Sequence, residues 1–168
     1  MADKFHVQPK PLDAAFSANI FNLLLTKLDD ERIYFNQQDI MALQAYKFQL
    51  DDEIKNKKSA FLQQLTTLYR QRIQQVDTMI DNICKTPFNF TIKEQLSVVE
   101  DSNFASNSST QRLKIYKLLK LSSVQYIAAY LATAKSTVNQ KKYIDSIEPI
   151  IRKKIQTAVK RPIKKLLQ

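Results

Sequence analysis

This chain of 168 residues contains no glycine. It has therefore lost the residue that takes positive φ at least cost. At the usual frequency of about 7%, roughly a dozen would be expected. Two-residue hairpins with primed turns are disfavoured, and helix ends capped by glycine are ruled out. Phosphate loops, dinucleotide fingerprints and nucleophile elbows all need glycine where backbone comes close to ligand, so they are excluded as well. What remains is a chain of helices that end by other means.

The apolar spacing agrees. Asp13, after Pro11, is a good N-cap, and Phe16, Ile20, Leu24 and Leu28 then recur along one helical face. Asp29-Asp30-Glu31 interrupts that pattern, and Tyr34-Phe35 sits in the connection that follows. Asn36 is placed to cap a second helix, with Asp39 in the position the helix dipole favours. Ile40, Leu43, Leu50 and Ile54 give that helix its apolar face. A long third helix runs from about Ser59 to Cys84 through Leu62, Leu65, Tyr69, Val76, Ile80 and Ile83, and Pro87 stops it. Arg70, Arg72, Asp77 and Asp81 are expected on or near its wet side.

Residues 86–109 read as an extended excursion. Phe88, Phe90 and Ile92 are expected to anchor its start and Phe104 its Ser/Asn-rich end. A fourth helix, from about Thr110 to Ala134, carries apolar residues on more than one side and is expected to be central. A fifth starts near Ser146, with Pro149 in its first turn and Pro162 breaking or kinking it. The expectation is an all-α fold: an irregular bundle of about five helices forming one domain over 1–168.

Charge is distributed unevenly. Residues 1–110 hold 12 basic and 14 acidic side chains, whereas residues 111–168 hold 14 and 2. Lys141, Lys142, Arg152, Lys153, Lys154, Lys160 and Arg161, continued by Lys164 and Lys165, form a candidate interaction patch. It suits either an anionic polymer or an acidic face of another domain. No recognition motif accompanies it, and Tyr143 is the only aromatic interleaved, so no nucleic-acid partner is expected. One cysteine, Cys84, and one histidine, His6, supply neither a disulfide nor a ligand set. No cofactor or metal is expected. No run of about 18 apolar residues exists, so no transmembrane helix is expected either.

Catalytic readings are weak on the residues themselves. Ser122 and Ser123 lie near Lys120, but no turn presents them. The carboxylate clusters Asp29-Asp30-Glu31 and Asp51-Asp52-Glu53 fall at helix ends, where capping and solvation account for them.

The order of short motifs carries more information. Pro11-Leu12-Asp13, Phe16-Ser17, Leu28-Asp29, Tyr34-Phe35, Asp39-Ile40, Leu50-Asp51-Asp52 and Pro87-Phe88-Asn89-Phe90 follow one another in a pattern. That pattern resembles the N-terminal helical domain of tail-specific (C-terminal processing) serine peptidases. The chain departs from it at Asp30, where proline is frequent, at Phe104, where tryptophan is common, and at Pro162.

The resemblance implies that the motif residues Phe16, Leu28, Asp29, Tyr34, Phe35, Asp39, Leu50, Asp51, Pro87, Phe88 and Phe90 are structural. It implies a non-catalytic segment of a periplasmic or cell-envelope protease whose PDZ domain and Ser–Lys peptidase domain lie outside this chain. Those domains, an adaptor protein and the protease's protein substrates are the partners it suggests. The competing expectation is a free-standing basic helical module that binds nucleic acid or an envelope polyanion.

Overall fold

A computed structural model of the chain describes residues 11–95, 103–133 and 139–167. Among these the fold is all-α, with six helices: α1 Ala14–Leu28, α2 Gln37–Gln44, α3 Leu50–Lys55, α4 Ala60–Ile83, α5 Ser108–Thr133 and α6 Gln140–Leu167. The only β pairing among the described residues is one parallel bridge between Asn36 and Ala105. His6 lies outside the described residues.

Polar side chains cap the helix starts. Asp13 accepts from Phe16 N at 2.8 Å and starts α1. Asn36 and Asp39 cap α2 reciprocally in a capping box. The side-chain oxygens of Asn107 and Asn139 accept from Thr110 N and Lys142 N at the starts of α5 and α6. Ser59 precedes α4 without capping it; the carboxylate of Glu53 in α3 does so from outside, accepting from Phe61 N.

The end of α3 shows what the missing glycine costs. Lys57 N donates to Ile54 O and Lys58 N to Glu53 O, the bond pair of a Schellman motif. Its left-handed position, usually glycine, is held by Lys57 at φ 53°. Arg32 takes the same unfavourable φ in the α1–α2 connection.

Two apolar clusters meet along α4, which is about 36 Å long at 1.5 Å per residue. The N-terminal cluster joins Phe21 and Leu25 of α1, Phe35, Leu43 of α2, Leu50 of α3, and Phe61 and Leu65 of α4. The second joins Ile73, Val76, Ile80 and Ile83 of α4 to Phe88, Ile115, Leu119 and Ile127 of α5, and Ile151, Ile155 and Ile163 of α6. Tyr69 packs against both.

Several expectations need correction. The stretch expected as one second helix is two, broken at residues 45–49. Ile54 and Leu62, expected inside, are exposed. Ile20, Leu24 and Leu28 of the expected α1 stripe do pack on the N-terminal cluster, but the most buried line is Ser17, Phe21 and Leu25, one residue on. Ser17 is satisfied in that line by donating its hydroxyl to Asp51 at 2.7 Å.

α6 begins at Gln140, so Pro149 lies inside it rather than in its first turn, and the helix continues through Pro162. Both prolines are exposed, where water can serve the carbonyls that a proline leaves without a partner. Ile92 is exposed, so Phe88 and Phe90 alone anchor the excursion's start. Phe104 packs on the N-terminal cluster, as expected, beneath the Arg32 guanidinium.

Candidate interaction surfaces

Four of the motif residues, Leu28, Asp29, Tyr34 and Phe35, converge on an internal knot. Asp29, 1% exposed at the end of α1, accepts from Ile33 N through Oδ1 (2.8 Å) and from Tyr34 N and Phe35 N through Oδ2 (3.0 and 2.8 Å). The carbonyls of the same turn are served from α5. Gln111 Nε2 donates to Ile33 O and Tyr34 O, and Lys114 Nζ to Glu31 O and Arg32 O. Tyr69 donates its hydroxyl proton to Leu28 O at 2.7 Å. One tight connection is thus satisfied from both sides, as burial requires.

Burial raises the Asp29 carboxyl above its usual range, against the pull of those backbone donors. Burial also pushes the phenols of Tyr34 and Tyr69 up to about 12. Phe35 fills the space beneath, 5.6 Å from the Tyr69 ring.

The other motif carboxylates are also occupied. Asp39 closes the α2 cap and receives Arg72 of α4 through both oxygens, at 2.7 and 2.8 Å. Asp51 binds Ser17 and Lys55; Lys55, followed by Ser17, holds its carboxyl below the usual range. Phe88 tucks against Tyr116, and Phe88 N donates to Glu148 of α6 at 3.2 Å. Leu50 is buried, Leu28 and Phe16 are half-buried, and Pro87 is exposed.

Ser123 and Lys120, singled out in the sequence, are engaged with the backbone and with Glu94. Ser123 donates to Leu119 O, while Lys120 donates to Ile92 O and pairs with Glu94 at 3.1 Å. Among the described residues no three potential metal-ligating side chains cluster, and no helix is long and apolar enough to cross a membrane.

The basic residues divide into two groups. Arg152 pairs inward with Glu148, and Lys160 bridges Asp77 and Asp81 of α4 at 3.0 and 2.5 Å. Arg72, Asp77 and Asp81, expected near the wet side of α4, therefore serve helix packing instead. Burial opposes the Lys160 charge, but its bonds to Asp81 and Asp77 outweigh that and raise its pKa. Lys141, Lys142, Lys153, Lys154, Arg161, Lys164 and Lys165 remain exposed.

Compared with known protein families, the chain matches the tail specific protease N-terminal domain over residues 1–166. It belongs to that family. Comparison with curated proteins gave no match.

In this tail-specific protease N-terminal domain, α5 departs most from expectation. It is apolar on several sides but not central: Leu113, Leu121, Val124 and Tyr130 face solvent. Leu121 and Val124 line an open groove of about 480 Å³ with Phe90, Ile92, Ile127 and Ile144, together with the charged Glu94, Lys117 and Lys120. Gln111, Lys114 and Arg72 were not anticipated as site residues. Their roles depend on partners roughly 30 to 80 residues away, and no local spacing signals that.

Proposed function

We propose that this chain, as a single domain of residues 1–168, is the non-catalytic helical scaffold of a tail-specific, carboxy-terminal processing serine protease. It packs beside the protease core, helps to enclose it, and shapes the route by which substrates or adaptors enter. The PDZ domain and the Ser–Lys peptidase domain lie elsewhere in the parent protein, in the periplasm or cell envelope.

The observation that carries this reading is the open apolar face of α5. A helix that is apolar on several sides is normally covered on several sides. Here Leu113, Leu121 and Val124 are left in solvent, the last two in a groove that Phe90, Ile92 and Ile144 share with Glu94, Lys117 and Lys120. The motif residues add support from the other direction: each described carboxylate among them is engaged inside the fold and none is free to react.

The test compares the parent protease with a Leu121→Glu/Val124→Glu variant, following cleavage of an unfolded, tail-bearing substrate. Cleavage falls in the variant while its thermal midpoint holds, and residues 1–168 alone cleave nothing. Serine-dependent cleavage by residues 1–168 alone, or full activity in the double variant, overturns the reading.

A further inference from the structure

A second surface lies on another side of α5, where that helix meets α6. Tyr126 is five residues beyond Leu121, about 140° further round the helix at 3.6 residues per turn. It borders an open cleft of about 660 Å³ with Ile150, Lys153, Lys154, Ala158 and Arg161 of α6. Lys154 Nζ lies 4.6 Å from the centroid of the Tyr126 ring. Ile150, at 67% exposure, is among the most exposed large apolar residues of the fold. No acidic residue lines the cleft. Of the two on α6, Glu148 is paired with Arg152, and Asp145 stands about 140° round the helix from Ile150.

We propose that this cleft docks an acidic, amphipathic segment of a separate protein, with an apolar side chain seated against Ile150 and Tyr126 and carboxylates reaching Lys153, Lys154 and Arg161. Charge complementarity sets the sign of the partner, and the apolar centre sets its shape. Permanent interfaces have charge-depleted, apolar cores. A cation-rich rim around a small apolar centre suits a reversible partner steered in by charge.

A nucleic-acid strand fits less well, because binding without sequence readout relies on successive aromatic platforms and only one ring is present here. A bilayer surface fits less well because the site is concave. The inference does not depend on the scaffold reading, since it concerns different residues and a different partner.

Fluorescence anisotropy on the full chain tests it with four probes. One is a helical peptide with leucines on one face and glutamates flanking them, and the second is a scramble of identical composition. Phosphatidylglycerol vesicles and single-stranded RNA are the third and fourth. The patterned peptide binds at low salt about tenfold tighter than the scramble, weakening as salt rises. Lys154→Glu/Arg161→Glu lowers that affinity about tenfold, and Ile150→Ser about fivefold, with the fold intact by circular dichroism. Equal binding of the two peptides, no binding of either, no effect of the variants, or tighter binding of vesicles or RNA overturns the proposal.

Discussion

The α1–α2 connection and the α5–α6 pair solve opposite problems. Around Asp29, polar groups are buried and served at close range: three N–H groups by one carboxylate, four carbonyls by two side chains of α5. Along α5 and α6, apolar residues and cations stand in solvent with little of the fold to meet them. Leu28, Asp29, Tyr34 and Phe35 belong to the first region, while Phe88 and Phe90 pack in the second. The residues around Asp29 are thus tied into the fold, whereas Phe90 lies at the border, packed on the second cluster and lining the α5 groove.

The sharpest way to break this contrast is at Asp29. Asn in its place turns an amide toward backbone donors that need an acceptor. Because burying the charge offsets part of the gain from those donors, we expect a loss of about 3 kcal/mol, read from urea unfolding near pH 7. A loss below about 1 kcal/mol would mean that the connection holds itself together without the carboxylate.

Next is Gln111→Leu, which leaves the carbonyls of Ile33 and Tyr34 without their α5 donor, for an expected loss of about 2 kcal/mol. The same melts would show no effect if water replaced the amide.

Lys160→Met probes the other region. Its partners Asp77 and Asp81 are both partly exposed, so screening limits the loss to about 1 kcal/mol. The pH dependence also separates the two regions. The Lys160 bond, with help from Gln156, holds the Asp81 carboxyl below 3.8. Its stabilisation is present above that value and is lost as pH falls through the lower folded pKa. Asp29 is raised above 3.8, so holding its charge costs stability progressively as pH rises from there, and acidification relieves that cost. Urea midpoints from pH 6 down to about 2.5 should show the difference between wild type and Asp81→Asn shrinking with acid.

Lys57→Gly has the opposite sign. Removing Cβ at φ 53° should stabilise by about 1 kcal/mol, seen as a raised thermal midpoint. No gain would mean that Lys57 makes compensating interactions.

Much of the fold was legible in the sequence. Helical spacing located α1, α4 and α5 to within two residues, and capping residues marked the starts of α1 and α2. The absence of glycine pointed away from hairpins and ligand loops. The break at residues 45–49 was hidden because Tyr46 and Phe48 keep an apolar rhythm across it; Tyr46 packs on Phe61 while Phe48 points outward.

The early start of α6 was hidden because Pro149 suggested a first turn. Of the basic patch, the sequence supplied the members but not their directions. Arg152 and Lys160 turn inward because α4 and α6 place Glu148, Asp77 and Asp81 within reach, a tertiary fact. The cleft at Tyr126 was invisible for the same reason, since its ring and its cations come from different helices.

Hydroxyl-radical footprinting of side chains tests the central claim most directly, with residues 1–168 measured alone and within the parent protease. The account predicts that Leu113, Leu121 and Val124 label strongly in the isolated domain and are protected in the parent, while the knot residues Tyr34 and Phe35 are equally shielded in both. Equal labelling of the α5 residues in the two samples would contradict it.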